Sequence, residues 1–216
     1  MDRPEPIDQS TWARTEHFRH YREVVPCTFA ITVEVDVTAL RTAVRDSGRN
    51  AYAAQVWALA SVVDRHRELR MTLLDGRPAT WPRVDPSFTV LNPERETFCA
   101  VWTPYDPDFA TFHEQASGLL AEHRHATTMF PQGTKPAHTF DVSSLPWTSF
   151  TAFSLQVAVG DHFLPIFTLG RYVERDGRTL LPVALQVHHA ATDGLHAGRA
   201  LEDLRSLVGD PEWVRS

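Results

Sequence analysis

The sequence predicts an α+β protein with a largely antiparallel or mixed sheet. Helical segments and hairpin signals mix along the chain, without the steady strand–helix alternation that builds a parallel sheet. The 216 residues, 43% of them hydrophobic, suffice to bury one sizeable core. We find no internal repeat, no low-complexity segment and no linker rich in Gly, Ser or Pro. We therefore expect a single catalytic domain over residues 1–216.

The N-terminal segment predicts a helix followed by a strand. Ser10 and Thr11 are good caps for a helix that runs to about Val24, because Pro26 ends it. Apolar and polar residues alternate over 27–35, which is typical of a half-buried strand.

The rest of the chain predicts further helices and hairpins. Asp75-Gly76 and Arg175-Asp176-Gly177 mark tight turns between strands. Asp106 followed by Pro107 is a favoured start for a helix that ends near Arg124. The segment 129–138 is expected to be a loop. The other expected helices cover 37–45, 51–67 and 195–208, and the other expected strands cover 71–74, 77–81, 87–91, 97–102, 150–157, 164–173 and 179–188.

Composition limits the classes of partner and compartment. The net charge is −6 and basic residues are scattered, so we expect no nucleic-acid partner. The first ten residues lack the basic and apolar regions of a secretory signal, and no apolar stretch is long enough to span a membrane. Cys27 and Cys99 are too few for a disulfide framework. We expect a cytoplasmic protein without a membrane partner.

Two adjacent histidines near the C-terminus predict a positioned general base. His188 and His189 end an apolar run, and Asp193-Gly194 follows. Imidazole is the side chain whose proton affinity suits proton transfer near neutral pH. If the strand persists, its alternation places His189 on the same side as Leu181, Val183, Leu185 and Val187. Two alternatives remain: a core histidine beside an N-cap aspartate, and a metal site that adds His188 and His196, although this spacing is not a standard zinc pattern.

Four segments together resemble the chloramphenicol acetyltransferase family over about residues 7–208. They are residues 12–18 (WARTEHF), 130–133 (FPQG), 143–147 (SSLPW) and 182–199 (PVALQVHHAATDGLHAGR). The HHxxxDG element alone is less specific, because it also marks dihydrolipoyl acyltransferase cores and condensation domains of peptide synthetases. The resemblance implies the coenzyme A-dependent acyltransferase fold, a two-layer α/β sandwich.

The resemblance also implies catalytic roles. His189 would be the base that takes a proton from an acceptor hydroxyl as that oxygen attacks the thioester of acetyl-coenzyme A, without an acyl-enzyme. Ser143 would donate a hydrogen bond to the oxyanion, and Thr168 would bind an ordered water near the transition state. Asp193 would pair with Arg14 to hold the turn that carries the base.

Binding residues and assembly follow from the same resemblance. The acceptor, chloramphenicol, would be acetylated on its 3-hydroxyl, and no metal is implied. Coenzyme A would contact Trp147, Arg171 and Tyr172. The family is a homotrimer with active sites at subunit boundaries. The acceptor pocket would be lined by Tyr21, Val25, Cys27, Phe29, Phe98, Ala100, Phe130, Phe153 and Leu155.

Some positions depart from the family pattern. Thr192 replaces a frequent cysteine, Asp141 a frequent asparagine, Ala152 a serine, and Asn50 a lysine near coenzyme A. None of these removes a catalytic group. Two other functions stay open: a same-fold acyltransferase with another hydroxyl or thiol acceptor, and a catalytically silent ligand-binding module. His188 has no assigned chemical role.

Overall fold

The computed structural model describes residues 3–155, 157 and 160–215, which form a mixed sheet with helices and a small three-stranded sheet. The strands are β1 (Glu5–Pro6), β2 (Thr28–Asp36), β3 (Met71–Leu74), β4 (Arg77–Thr80), β5 (Asp85–Asn92), β6 (Thr97–Trp102), β7 (Thr139–Leu145), β8 (Ile166–Gly170), β9 (Val173–Arg175) and β10 (Arg178–His188). The α-helices are α1 (Thr15–Arg19), α2 (Thr38–Ser47), α3 (Ala51–Arg65), α4 (Phe109–Glu122) and α5 (Gly194–Gly209). A π-helical turn covers His20–Val24, and 3₁₀ turns cover Arg67–Arg70 and Glu212–Val214.

The large sheet confirms the predicted α+β class with a mixed sheet. Its order is β2-β10-β8-β7-β5-β6, and β9 also pairs with β10. The pairs β5–β7 and β7–β8 are parallel, and the others are antiparallel. The carboxyl ends of β5, β7 and β8 therefore lie at one end of the sheet, and the carboxyl end of β10 lies at the opposite end.

One face of this sheet packs against helices α2 to α5 and forms the core. Residues paired across the sheet point to one side, so Leu185, Phe167, Val142, Phe88 and Val101 form one continuous buried row. They join the buried side chains of the four helices in a single apolar cluster. We call this side of the sheet the helix face and the other side the open face.

The tight turns confirm the predicted hairpins. Asp75 and Gly76 both have left-handed backbone angles (φ 50° and 76°), as do Asp176 and Gly177 (φ 51° and 74°). This is the type I′ geometry whose twist matches that of the flanking strands. The first turn joins β3 to β4, and the second joins β9 to β10.

Two predicted helix starts are wrong. Helix α4 begins at Phe109, because the Asp108 carboxylate accepts from the Thr111 N–H and is the cap, while Asp106 accepts from the Asp108 N–H. The first helix begins only at Thr15, since Ser10 bonds with its N–H and hydroxyl to the Asp8 carboxylate. The later part of that helix is π-helical, not α-helical.

Two strand predictions also need correction. The expected strand over 150–157 is absent from the described residues of that range, and β7 forms where no strand was predicted. The N–H groups of Phe153 and Leu155 bond to the side chains of Thr32 and Gln186 on the open face (3.1 and 2.7 Å). Side-chain acceptors thus replace a strand partner. The expected strand 164–173 is shorter, Ile166–Gly170.

None of the described helices has the length and apolar character needed to cross a bilayer.

Candidate active site

The imidazole of His189 lies between two aromatic rings just beyond the end of β10. It stacks on Tyr21 with 3.8 Å between ring centroids and 6° between planes, and Phe29 contacts it edge-on at 5.1 Å. The N–H of His189 donates to the Cys27 carbonyl (3.0 Å), so pairing with the β2 side continues past the last strand residue. His189 shares the side of Phe29 and Val187, as predicted, and its side chain is 28% exposed.

The turn after His189 is fixed by Arg14, as the resemblance implies. One guanidinium nitrogen forms an ion pair with the Asp193 carboxylate, and the other donates to the carbonyls of His189 and Ala190 (both 3.2 Å). Burial lowers the pKa of Arg14, but a guanidinium stays protonated at physiological pH. Ala190 and Ala191 are fully buried beside Phe18 and Phe163 in a second apolar cluster.

Asp193 also approaches the base itself. Its Oδ1 lies 3.2 Å from His189 Nδ1, and neither atom forms a hydrogen bond within the described part of the chain. With Nδ1 enclosed, Nε2 is the ring nitrogen left to accept a proton. The local geometry therefore suits a general base, His189, whose position Asp193 helps to fix. Asp193 needs no role in carrying the proton.

Ser143 and Thr168 are neighbours on the open face of the sheet. They are directly opposite each other on the parallel strands β7 and β8. Thr168 is in turn opposite Ala184 on β10, so the three residues form one row. Both hydroxyls point away from the helix core, because Val142 and Phe167 occupy the alternate positions.

A cleft of about 630 Å³ lies at the carboxyl ends of β5, β7 and β8. Ser143 and Phe98 line it together with Trp147, Arg171 and Tyr172, the three residues predicted to contact coenzyme A. The structure thus brings the predicted oxyanion donor and the predicted cofactor residues to one cleft.

Helix α3 contributes three cleft residues that were not predicted, Ala51, Tyr52 and Gln55, and the last two bring polar groups to the cleft. Gln55 Nε2 donates to the Tyr172 hydroxyl (2.6 Å), and the Arg41 guanidinium lies over the Tyr172 ring at 4.6 Å. Burial raises the pKa of Tyr172, and it raises that of Tyr52 to about 12. No sequence signal distinguishes these residues within a helix that is buried along most of its length.

The other predicted acceptor-pocket residues fall into separate groups. Phe98 and Ala100 lie on the edge strand β6, and Phe130 is beside them because the Ala100 N–H donates to the Met129 carbonyl (2.8 Å). Phe153 and Leu155 lie over the open face at β2 and β10. The third group lies near the start of β2, next to His189. Tyr21 and Phe29 contact the His189 ring, Cys27 accepts the His189 N–H, and Val25 shortly precedes the strand.

Within one chain, Ser143 and His189 do not meet. Ser143 shares a row with Ala184 of β10, and His189, just beyond the end of that strand, follows Ala184 by five residues, which is about 17 Å at the rise of an extended strand. The two side chains also point to opposite faces. We call the groups around them the Ser143 half-site and the His189 half-site.

Three of the four departures from the family pattern have local structural explanations. Asn50 caps helix α3 by accepting from the Ala53 N–H (3.0 Å), Asp141 forms an ion pair with Lys135, and the Thr192 hydroxyl donates to the Glu68 carbonyl (3.2 Å). The structure gives no account of Ala152.

Two of the side chains considered as metal ligands, His188 and His196, form hydrogen bonds with the backbone instead. His188 and His196 each accept a backbone N–H at Nδ1. Among the described residues, no cluster of three or more His, Cys, Asp or Glu side chains has the arrangement of a metal site.

Comparison with known proteins places this chain in a class, the coenzyme A-dependent acyltransferases. The family model described as chloramphenicol acetyltransferase matches residues 4–205. The chain belongs to the chloramphenicol acetyltransferase family and is therefore an acyltransferase.

Similar proteins cover nearly the whole chain. A chloramphenicol acetyltransferase of Streptomyces acrimycini is 61% identical over 98% of this chain and 97% of its own length. Chloramphenicol acetyltransferase 2 of Haemophilus influenzae is 40% identical, over 93% and 95%. A solved chloramphenicol acetyltransferase structure superposes with a TM-score of 0.84 and 21% identity, covering 95% of this chain and 100% of that one, and so supports the fold.

Proposed function

We propose that this enzyme transfers the acetyl group of acetyl-coenzyme A to the 3-hydroxyl of chloramphenicol and so inactivates the antibiotic. The observation that carries the proposal is the fixed position of His189. Its imidazole stacks on Tyr21, and its backbone carbonyl accepts a hydrogen bond from Arg14. A base in this setting is already oriented before substrate binds, which is where an enzyme assists a weakly nucleophilic alcohol. The 61% identical relative supports the choice of acceptor.

The chemistry requires one base and one oxyanion donor. His189 Nε2 takes the proton of the acceptor hydroxyl while its oxygen attacks the thioester carbon. The Ser143 hydroxyl donates to the resulting oxyanion, and Thr168 holds a water beside it. When the carbon–sulfur bond breaks, the imidazolium returns the proton to the departing thiolate. Ester and free coenzyme A leave, with no covalent enzyme intermediate.

The cleft beside Ser143 is the proposed site of acetyl-coenzyme A. Its size is in the range of small-molecule sites. The positive charge of Arg171 and the aromatic surfaces of Trp147 and Tyr172 suit the phosphates and the adenine of the cofactor.

The proposed assembly is a homotrimer in which the His189 half-site of one subunit faces the Ser143 half-site of the next. Two observations support an intermolecular site. One chain separates the two groups by about 17 Å along the sheet. In addition, several predicted site residues are large apolar side chains that are 44% to 61% exposed in the single chain: Val25, Phe98, Phe130, Trp147 and Leu155. Such exposed apolar groups are typical of protein interfaces.

A cytoplasmic location is part of the proposal. Cys27 and Cys99 are both free thiols, which fits a reducing compartment.

A thiol-release assay tests the function. Purified protein is incubated with acetyl-coenzyme A and chloramphenicol, and free coenzyme A is followed with a thiol reagent, with 3-O-acetylchloramphenicol identified by mass spectrometry. We expect chloramphenicol-dependent release of one thiol per acetylated product. Release only with another hydroxyl or thiol acceptor would favour a same-fold acyltransferase of different specificity. No release with any acceptor would favour a binding module.

A further inference from the structure

Two imidazoles other than His189 bind the turn that carries the base. His188 Nδ1 accepts a hydrogen bond from the Ala190 N–H at 3.1 Å, and His196 Nδ1 accepts one from the Asp193 N–H at 3.0 Å. A ring nitrogen accepts only when it carries no proton, so both contacts require a neutral imidazole with its hydrogen on Nε2. Both contacts therefore specify one tautomer as well as one charge state.

With these two contacts, every backbone N–H from His189 to Asp193 has an acceptor. Arg14 binds the carbonyls of His189 and Ala190, and the N–H groups of Ala191 and Thr192 donate to the His188 carbonyl (both 3.0 Å). The N–H groups of Ala190 and Asp193 are then satisfied by the two imidazoles. An unsatisfied buried N–H costs about 1–3 kcal/mol, so each acceptor strongly favours this one turn conformation.

The surroundings of His188 favour the neutral ring. It is buried, with Phe163 edge-on at 4.9 Å, and burial lowers its pKa. The charged and titratable groups that face it are Asp161, His162 and His189. The opposing influence of Asp161 is reduced because Arg22 pairs with that carboxylate at 2.9 Å.

The net effect of the surroundings of His196 is also to lower its pKa, although the Glu68 carboxylate acts in the opposite direction. It lies in the first turn of α5, and burial is the main cause that lowers its pKa. The Glu68 carboxylate lies 3.8 Å from Nε2, which suits an N–H on that nitrogen. The other charged or titratable groups that face it are Arg14, Arg199 and His66.

We propose that His188 and His196 are positioning residues, which hold the turn of the catalytic base as neutral Nδ1 acceptors on either side of it. The proposal rests on the assignment of His189 as the base, and it gives His188 the role that the sequence left open. Neither residue exchanges a proton with substrate. Their contribution is to keep His189 where Arg14 binds its carbonyl and Tyr21 stacks on its ring.

Nitrogen NMR of the wild-type protein tests the tautomers directly. In ¹⁵N-histidine-labelled enzyme, assigned with single His→Asn variants, we expect His188 and His196 at pH 7 to show an unprotonated Nδ1 and a protonated Nε2. An imidazolium or an Nδ1–H tautomer at either residue would overturn the proposal. The measurement needs no activity, so it stands apart from the outcome of the acetyl-transfer assay.

A pair of isosteric variants tests the positioning role. His196→Asn keeps a short acceptor at the same reach, whereas His196→Leu has the same shape without one. Since a misplacement of about 1 Å can cost 10²-fold in rate, we expect His196→Leu to lose at least about tenfold in kcat, with a smaller effect on KM, and His196→Asn to retain most of the activity. His125→Leu, at an exposed position distant in sequence, is the control.

Equal kcat values for folded His196→Leu and His196→Asn would contradict the role of the acceptor. If the Leu variant does not fold, the wild-type tautomers still decide the proposal. A wild-type enzyme that fails to acetylate chloramphenicol would refute the proposed function and leave the tautomer result unaffected.

Discussion

The phenol ring of Tyr21 stacks on the imidazole of His189, with 3.8 Å between centroids and nearly parallel planes. Tyr21 belongs to the π-helical turn after α1, where the Val25 N–H donates to the His20 carbonyl (2.9 Å). Such turns are frequent at functional sites. With Phe29 against its edge, the imidazole is fixed in plane before substrate arrives. The conformational freedom of the base is thus lost during folding and not during the reaction.

Removal of the base should abolish turnover without unfolding the protein. His189→Ala deletes the proton acceptor, so we expect kcat to fall by about 10²–10⁴-fold. Its side chain is partly exposed, so the melting temperature should change little. Steady-state kinetics measure kcat, and differential scanning calorimetry measures the melting temperature. Near-normal kcat in this variant would refute the assignment of the base.

Removal of the oxyanion donor should affect rate more than binding. Ser143→Ala takes away one hydrogen bond that matters most in the transition state, so we expect kcat to fall by about 10²–10³-fold with little change in KM. Ser206→Ala, on the exposed surface of α5, is the matched control. Equal kinetics of the two variants would show that Ser143 is an ordinary strand serine.

Breaking the Arg14–Asp193 pair should cost stability as well as activity. The two side chains are 13% and 30% exposed, so the value for a fully buried pair must be reduced for solvent screening. We expect Arg14→Met to lower the free energy of unfolding by about 2 kcal/mol, because it leaves the carboxylate and two turn carbonyls without their donor. Urea denaturation measures the loss.

The double variant Arg14→Met/Asp193→Asn provides the control for charge. It removes the stranded carboxylate, so part of the lost stability should return. Full additivity of the two single losses would argue that the pair does not interact.

Stability should fall in mild acid. Burial is the first cause that lowers the pKa of four histidines: His113, His162, His188 and His196. Their folded pKa values thus lie below the unfolded value of about 6.5, and below that pH the unfolded chain binds more protons. The histidine contribution is complete above about pH 6.5 and is lost as the pH falls toward the folded pKa values.

Urea unfolding at pH 7.5, 6.5 and 5.5 checks this dependence. Carboxylates, with unfolded pKa values of about 4, remain ionised over this range and do not obscure the result. We expect a lower free energy of unfolding at pH 5.5 than at pH 7.5. A free energy of unfolding that stays constant or rises toward pH 5.5 would contradict the lowered pKa values of these histidines.

The sequence predicted the elements whose signal is local. Strand β10 alternates regularly, and both Asp-Gly turns have the one backbone conformation that a tight hairpin requires. The position of His189 at the end of β10 was also predictable, because the residues of this turn lie within a single short motif.

What the sequence did not predict depends on distant contacts. Strand β7 carries Asp141 and Ser143 on its open face, so its composition resembles a loop. Phe153 and Leu155 alternate like a strand, but their N–H groups bond to Thr32 and Gln186, residues over a hundred and over thirty positions away. Only tertiary structure supplies those acceptors.

We propose above that each active site combines the His189 half-site of one subunit with the Ser143 half-site of another, and refolding of mixed variants tests this directly. The inactive variants His189→Ala and Ser143→Ala are therefore mixed in equal amounts, unfolded and refolded together, with each variant refolded alone as the control. In mixed oligomers, about half of the subunits supply an intact His189 and about half of their neighbours an intact Ser143. We therefore expect recovery of about a quarter of wild-type activity. Activity no greater than that of the separate variants, in oligomers shown by native mass spectrometry to be mixed, would contradict it.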